Sequence, residues 1–433
     1  MKKILSVLLA AAMAATLLAG CGQSSGTSGT SGTDSSGGAP AEEKVITYSG
    51  PDEWVRSQLQ TDKGGYDKVV EQFEKDNPGV KVKLTSEPWG TWQQKLPVVI
   101  AGGDAPDVFM LNGTDAASYY NGGYTTDLGD MDKEFLDKFY PGVLAQYQDG
   151  DTVMALPFTT DCRILWYNKE IFKAAGLDVN KPPKTVDELV EYAKACSEAT
   201  VDGQKVYGFG MDLGIKEVPA ASLLCASDAM LFDAETGKPT VNNDTFRKYV
   251  QALIDMKDTY EPDYATLTHE NVATLFGQKK VGIIIAGAWV WSLNEGLNEE
   301  DWYGTAMVPK MDENSPEGSY AGGWAVAVSS KSENVEEAKK FAQALYDEDL
   351  AYMLHTDVPP FTGGDEKCDL FKNPKAEIFR EEMQYGRQLM PPTTVATEVK
   401  NLVWEEVGNA VMGKSSVDDC IGNIETKMAD ILK

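Results

Sequence analysis

One segment of the sequence has the spacing of a phosphate-binding loop: residues 408–415, with the letters GNAVMGKS. Such a loop holds phosphate only where it leaves a buried strand and opens a helix, because its backbone N–H groups must converge on the anion. Here residues 395–412 carry apolar side chains at helical spacing. We therefore expect Gly413 to end one helix and Ser416 to cap the next, and we do not expect nucleotide binding.

Nucleophilic and acid–base chemistry have few candidates. The two histidines, His269 and His355, lie far apart in the sequence, which disfavours His-based catalytic triads and His-rich metal sites. The 67 Asp and Glu residues must include pairs suited to glycoside hydrolysis, but no short motif identifies one. We predict no catalytic residue, metal site or cofactor, and an extracellular glycoside hydrolase stays as an alternative.

Tryptophans beside Gly or Pro at predicted turns and strand ends are candidates for stacking on the apolar face of a sugar. These candidates are Trp54, Trp89, Trp92, Trp289, Trp291 and Trp324. Packing in the core is the alternative role for each of them. Trp289 closely follows Gly287 and Trp324 follows Gly323. Because glycine lets a ligand approach the backbone closely, we favour these two.

The charge balance excludes a large class of partners. Across 433 residues, 39 Lys and Arg oppose 67 Asp and Glu, which gives a formal charge of −28. A surface that neutralises nucleic-acid phosphates or anionic lipid headgroups is therefore not expected. The length predicts two domains.

The N-terminus has the pattern of a bacterial lipoprotein signal peptide. A basic head at residues 1–3 precedes an apolar run at residues 4–18, which is shorter than the ~20 residues of a bilayer crossing. The tetrapeptide LAGC that ends at Cys21 resembles a lipobox. We predict a signal peptide over residues 1–20, lipidation of Cys21 and a flexible Gly/Ser/Thr tether over residues 21–43. The working part is then held at the extracellular face of the cell membrane.

Five cysteines follow Cys21, an odd number without a C-x-x-C pair, so a disulfide framework is not expected. They are Cys162, Cys196, Cys225, Cys368 and Cys420. Cys196 lies on the apolar stripe of a predicted helix, where we expect it to be a small buried hydrophobe.

Alternating strands and helices must position these residues. Residues 45–48 begin a strand, residues 66–76 carry a helical stripe, and residues 80–84 alternate apolar side chains with lysine. Strand, helix and strand in this order form a βαβ unit, which predicts a parallel sheet covered by helices. Further predicted strands lie at residues 106–111, 164–167, 281–286 and 325–328, and the tail from residue 335 is predicted to be helical.

Several segments, taken in order, resemble one family. They are LPVVIAGGDAPDV at 96–108, LPF at 156–158, WYNK at 166–169, PPKTVDEL at 182–189 and the run at 282–291. They resemble the family one extracellular solute-binding proteins, the carbohydrate-binding lipoproteins of ABC importers related to maltose-binding protein. The likeness extends from about residue 45 to residue 432.

The resemblance implies an α/β, two-lobed fold of the type II periplasmic-binding-protein kind. Each lobe is a mixed sheet flanked by helices, and a hinge of several crossing segments joins the lobes. The expected crossings lie near residues 155–160, 305–309 and 326–330. Lobe one is then expected at residues 44–157 plus 308–328, and lobe two at residues 158–307 plus 329–433.

The resemblance also implies ligand contacts. Asp161 follows the first crossing, where relatives place a carboxylate that binds sugar hydroxyls, and Glu217 stands where an acidic residue faces the ligand. Asn112 and Asp115 replace a Trp and a charged pair of maltose-binding relatives. Arg387 is expected to donate hydrogen bonds. The full predicted substrate-binding set is Trp54, Trp89, Asn112, Asp115, Asp161, Arg163, Glu217, Trp289, Trp324 and Arg387.

The implied function is capture of a sugar between two closing lobes and its delivery to the permease subunits of an ABC importer, which a cytoplasmic ATPase drives. A monomer is expected, attached to the membrane only through its lipid. The alternative is the same scaffold binding a polyamine, a peptide or another cationic solute, for which an acidic cleft would be suitable.

Overall fold

The computed structural model describes residues 43–52, 66–160, 162–214, 221–233, 236–294, 296–346, 359–361, 369–390 and 393–433. The predicted signal peptide, Cys21 and nearly all of the predicted tether lie outside the described residues. Residues Glu43–Lys433 form one unit of the chain. Within the described ranges, no helix combines the length and apolar character that a membrane crossing requires.

The strands define two main sheets. In chain order they are β1 (Lys44–Pro51), β2 (Val80–Glu87), β3 (Val108–Asn112), β4 (Gln148–Asp149), β5 (Thr152–Val153), β6 (Leu156–Pro157), β7 (Ile164–Asn168), β8 (Thr200–Val201), β9 (Gln204–Lys205), β10 (Tyr207–Phe209), β11 (Val281–Ala286), β12 (Tyr303–Ala306), β13 (Ser319–Tyr320), β14 (Trp324–Val328) and β15 (Gly386–Arg387).

Both main sheets are mixed, as predicted. The first has the order β2-β1-β3-β14-β6; β1 is parallel to β2 and β3, whereas β14 is antiparallel to β3 and β6. The second has the order β10-β11-β7-β12; β10 is parallel to β11, and β7 is antiparallel to β11 and β12. We call the first sheet with its core lobe one, and the second sheet with its cores lobe two.

Helices cover the sheets. In chain order they are α1 (Tyr66–Asp76), α2 (Trp89–Gly102), α3 (Ala116–Asn121), α4 (Lys133–Leu136), α5 (Pro141–Leu144), α6 (Lys169–Ala174), α7 (Val186–Glu198), α8 (Ala221–Cys225), α9 (Asp244–Asp255), α10 (His269–Gly277), α11 (Trp289–Leu293), α12 (Val335–Ala344), α13 (Glu377–Met383), α14 (Ala396–Val411) and α15 (Val417–Ile431).

The core of lobe one forms where strand and helix periodicities meet. Alternate β1 residues Ile46 and Tyr48 are fully buried, as the period of two requires. The α1 stripe contributes Tyr66 and Phe73, and the ring of Tyr48 meets that of Tyr66 edge-on at 5.2 Å. Phe341 of α12 meets Phe73 in the same way at 5.2 Å. These contacts fix helices from distant parts of the chain on one sheet.

Lobe two has a core on each face of its sheet. All residues of β7 and β11 are buried, which is typical of strands covered on both sides. Thr185 caps α7 by accepting from the backbone N–H of Glu188, and Cys196 of that helix is a fully buried free thiol. The other described cysteines, Cys162, Cys225 and Cys420, are also free and buried; Cys368 lies outside the described residues.

The chain crosses from lobe one to lobe two between β6 and β7, close to the expected first crossing. The return differs from the prediction near residues 305–309, because Val308, Met311 and Tyr320 still pack in a core of lobe two. The chain re-enters the first sheet after Gly323, at β14. Thus residues 308–320 do not belong with lobe one, where they were expected.

The last crossing also differs from the prediction. β14 stays in the first sheet, and α12 packs on the same core through Ala338 and Phe341. Tyr346 and Phe361 belong to that core too, whereas Phe379 packs in lobe two. The expected crossing at 326–330, and with it the assignment of residues 335–346 to lobe two, therefore does not hold. The apolar stripe of α12 predicts a helix but does not specify which sheet it covers.

The segment with phosphate-loop spacing joins two helices, as predicted. α14 ends at Val411, Gly413 follows with a φ of +76°, and Ser416 caps α15 in a reciprocal pair with Asp419. No strand precedes this segment in the described residues 393–411. The N–H groups of the segment therefore lack the strand-to-helix setting that phosphate binding needs.

Candidate ligand-binding cleft

A cavity of about 380 Å³ opens between the two lobes and receives residues from both, a size within the range of small-molecule sites. Its lining consists of Gly113, Thr114, Ala117, Ala145, Gln146, Tyr147, Gly322, Gly323, Gly386, Arg387, Gln388, Met390 and Ala396. Residues up to 147 come from lobe one, the Gly322–Gly323 pair lies at the crossing, and the residues from 386 onward come from lobe two. We call this cavity the cleft.

The lobe-one wall is shaped by the turn that follows β3. Asn112 Oδ1 accepts from the backbone N of Thr114 at 3.1 Å and from its hydroxyl at 2.7 Å, which caps a 3-10 turn at residues 113–115. Gly113 N donates to Gly323 O at 3.0 Å. A Cβ on Gly113 would lie 2.2 Å from the Tyr147 hydroxyl oxygen. A side chain at position 113 would therefore displace the Tyr147 ring, and the side-chain carbonyl of Asn112 is occupied by the cap.

The lobe-two wall presents Arg387 on a short strand. β15 pairs with β13, and Arg387 O accepts from the backbone N of Ala321 at 3.0 Å. Arg387 Nε donates to Cys225 O at 2.6 Å. Arg387 Nη2 is buried and has no hydrogen-bond partner among the described residues. The wall therefore holds the guanidinium in place through Nε and leaves the Nη2 donor unsatisfied.

Arg163, predicted as a ligand contact, lies between two aromatic rings beside this wall. Its guanidinium carbon is 5.0 Å from the Trp289 ring centroid and 5.4 Å from that of Tyr320, within the range of cation–π attraction. The Ser319 hydroxyl accepts from Arg163 N at 2.8 Å and donates to Arg163 O at 2.7 Å. A Cβ on Gly287 would lie 1.9 Å from the Trp289 ring, so glycine makes room for the indole.

Behind Trp289 stands a buried acid–imidazole pair that the sequence analysis missed. Asp212, 1% exposed, hydrogen-bonds His269 Nδ1, and the His269 ring lies 6.1 Å from that of Trp289. Burial raises the pKa of Asp212, while His269 opposes the rise. The pair is 57 residues apart in sequence. One sequence feature that could have indicated this pair is that Asp212 closely follows a strand and His269 opens a helix. Among the described residues, no group of three His, Cys, Asp or Glu has metal-site geometry.

The other predicted site residues are dispersed. Trp324 is half-buried and packs on Trp92 at 5.6 Å between ring centroids. Trp89 opens α2, but its side chain is not described. Trp54, Asp161 and Glu217 lie outside the described residues. Of the predicted set, Arg387 lines the cleft and Asn112 adjoins its lining.

The two lobes also touch at one rim of the cleft. The Ser118 hydroxyl of α3 donates to the backbone carbonyls that precede α14, at 2.8 Å from Thr394 O and 3.1 Å from Thr393 O. The Asp115 carboxylate accepts from the Thr397 hydroxyl. We call these hydrogen bonds the rim contact. They join lobe one to lobe two beside the cavity, so this conformation has the lobes closed on that side.

Comparison with known proteins gives consistent matches. Residues 57–351 match the family described as bacterial extracellular solute-binding proteins. The diacetylchitobiose binding protein DasA of Streptomyces coelicolor is 28% identical over 353 residues, which cover 78% of this chain and 77% of DasA. A putative binding protein of Brucella abortus is 26% identical over 389 residues, covering 85% and 90%.

Solved structures share the fold. A solute-binding protein from Thermotoga lettingae bound with α-D-tagatose has a TM-score of 0.76 at 22% identity, covering 90% of this chain and 100% of that one. Maltose-bound MalE3 of T. maritima has a TM-score of 0.74 at 22% identity, covering 89% and 98%. Both are similar to this chain across both lobes.

Proposed function

The chain belongs to the family of bacterial extracellular solute-binding proteins, and on that basis we propose that it captures a sugar or oligosaccharide in the cleft and delivers it to an ABC importer. The observation that carries the proposal is a cavity with walls from two lobes that also touch at its rim. The relative DasA is a diacetylchitobiose binding protein. Two similar structures hold tagatose and maltose.

In the proposed mechanism the ligand binds first to the lobe-two wall, where Arg387 and Gln388 offer polar groups. Closure then brings the lobe-one turn and the rim contact into place. A ligand shifts the lobes toward the closed form only by its differential affinity for that form. The closed form is the one that we propose the permease subunits recognise, with a cytoplasmic ATPase driving uptake. No covalent step is involved.

The alternative of a cationic solute receives no support from the cleft. Although the chain carries a formal charge of −28, the described lining has one charged side chain, Arg387, and no carboxylate. A polyamine would face a like charge without a counterion there. The same lack of lining carboxylates leaves the hydrolase alternative without an acid–base pair among the described residues.

We also propose that Cys21 carries the lipid and that the protein works as a monomer at the extracellular face of the cell membrane. A basic head, a short apolar run and the LAGC tetrapeptide support this. Replacement of Cys21 by Ser is expected to release the protein from the membrane fraction, which cell fractionation measures.

The decisive experiment is a melting-temperature screen of protein stripped of endogenous ligand. A saccharide at 100 times its Kd should stabilise the protein by about 2.7 kcal/mol. Spermidine and short basic peptides serve as comparison ligands, and scattering profiles report closure. Stabilisation by a saccharide without its chemical conversion supports the proposal. Stabilisation by cations alone, or turnover of the saccharide by pure protein, contradicts it.

A further inference from the structure

We propose that the ligand of the cleft carries an acidic group, a carboxylate or a phosphate, and that Arg387 is the residue that selects for it. The inference rests on the proposed function and names the chemical class of the saccharide. A guanidinium presents paired N–H donors in a fixed plane that match the two oxygens of a carboxylate or phosphate. A neutral sugar hydroxyl offers a single oxygen to the same donors.

The position of Arg387 is fixed independently of any ligand. Its backbone is part of the β13–β15 pair, and its Nε is held by Cys225 O at 2.6 Å. The remaining side-chain freedom is small, so little conformational entropy is lost when the guanidinium binds a ligand. A preorganised donor of this kind is typical of groups that bind ligand rather than of surface arginines.

The unsatisfied donor needs an acceptor. Arg387 Nη2 is buried and has no hydrogen-bond partner in the described part of the chain. Leaving a buried donor of a charged group unpaired is energetically costly. Other arginines here have carboxylate partners: Arg247 pairs with Asp418, and Arg380 with Glu377. The ligand is the partner that completes the Arg387 site.

A second guanidinium, that of Arg163, lies in the neighbourhood of Arg387. Burial raises the pKa of the Cys225 thiol to about 12, against the opposing positive charges of Arg387 and Arg163. Both guanidinium groups therefore lie near Cys225, with Arg387 in the lobe-two wall and Arg163 beside it. In a chain with a formal charge of −28, two guanidinium groups beside a cavity whose described lining has no carboxylate favour an anionic ligand there.

The test compares acidic and neutral sugars that share the same ring structure. Calorimetry measures binding of D-glucuronate, D-galacturonate and glucose 6-phosphate to the full folded protein, each against D-glucose or D-galactose, with inorganic phosphate as an additional probe. We expect the acidic member of a pair to bind at least ~10-fold more tightly, with the preference decreasing at high salt. The uronates and the phosphates then distinguish which acid the site prefers.

Variants assign the effect to Arg387. Arg387→Met is expected to reduce affinity for the acidic ligand by ~10- to 100-fold, which corresponds to the loss of a charge-assisted hydrogen bond. Arg387→Lys keeps the positive charge but not the paired N–H donors of the guanidinium, so a smaller loss of affinity is expected. Arg247→Met, at an exposed position away from the cleft, is the matched control. Unchanged melting temperatures of the ligand-free variants establish that they are folded.

The outcomes separate the two proposals. Preference for the neutral member of each pair, or acid binding that is insensitive to Arg387→Met and Arg387→Lys, overturns this inference and leaves sugar capture standing. Binding of inorganic phosphate as tightly as of glucose 6-phosphate overturns the saccharide assignment of the site. Binding of cations in place of every sugar overturns both proposals.

Discussion

The two walls of the cleft are built from different materials. Lobe one contributes the small residues Gly113, Thr114 and Ala117 and the larger neutral residues Gln146 and Tyr147, whereas lobe two contributes Arg387, the one charged residue of the described lining. The polar groups of a site determine which chemical groups it accepts. On the proposed function, we therefore expect lobe two to select the charge of the ligand and lobe one to close over it.

The walls are also held differently. The lobe-one wall depends on a local cap at Asn112 and on a close approach to the glycine pair at the crossing. The lobe-two wall is supported by the β13–β15 pair and by the Arg163 guanidinium between two rings. The following substitutions test this contrast, starting with the crossing where the walls meet.

The largest effect is expected from Gly323→Ala. Gly323 has a φ of +154°, and a Cβ there would lie 2.2 Å from Thr159 O, a backbone atom of the first crossing. Because the obstructing atom belongs to the backbone and not to the end of a flexible side chain, we expect a loss of at least about 4 kcal/mol in the free energy of unfolding. Urea denaturation measures it. Gly102→Ala is the matched control, since a Cβ on Gly102 meets nothing within 4 Å; equal losses in both variants would contradict the argument.

A pH-dependent effect is expected behind the lobe-two wall. Burial raises the pKa of Glu382 from its ordinary value of 4.5 to about 8, with the nearby Glu317 and Glu381 adding to the rise. Its Oε2 accepts from Val308 N at 2.9 Å on the returning segment. The folded state thus binds a proton that the unfolded state has released.

Stability from Glu382 is therefore greatest below about pH 4.5 and is lost as pH rises toward 8. Glu382→Gln, which cannot ionise, should lose less stability between pH 6 and pH 9 than the unmodified protein, by an amount on the order of a few kcal/mol. Thermal unfolding across this pH range measures the difference. Glu377→Gln, exposed on the same helix, is the control, and an identical pH profile in all three proteins would count against burial as the cause.

The smallest effect is expected at the rim contact. Ser118→Ala removes the hydroxyl that reaches Thr394 O at 2.8 Å, so the closed form should lose about 1 kcal/mol, or ~5-fold in ligand affinity. Selectivity between acidic and neutral ligands should be unchanged, because the lobe-two wall is intact. Calorimetry measures both quantities. Ser197→Ala, which removes an exposed hydroxyl bonded within its own helix, is the control. Altered selectivity in Ser118→Ala would contradict the assignment of ligand selectivity to the lobe-two wall.

Much of the fold was predictable because local periodicity decides it. The unit β1–α1–β2 follows from alternation and a helical stripe, and the turn at Gly413 and Ser416 follows from capping chemistry. The lobe assignment of α12 was not predictable in this way. An amphipathic stripe predicts that a helix packs on a sheet, but tertiary contacts such as that between Phe73 and Phe341 determine which sheet it covers.

The site was less predictable than the fold. Arg387 was expected at the cleft and lines it, but its Cys225 partner lies 162 residues away and leaves no sequence pattern. Asn112 stands next to the lining, yet it serves as a cap. Asp212 and His269 went unnoticed because the fold alone brings them together. Ligand contact by the other predicted residues stays a prediction.

The acceptors of Ser118 are main-chain carbonyls, which every amino acid supplies. Mutations at positions 393 and 394 can therefore accumulate without removing the atoms that Ser118 needs. A descendant of this protein could therefore change its ligand specificity at residue 387 and still close its lobes through the same Ser118 hydrogen bonds. In evolutionary terms, ligand selection at Arg387 and lobe closure at the rim contact are separable traits. Selection can drift while closure is retained.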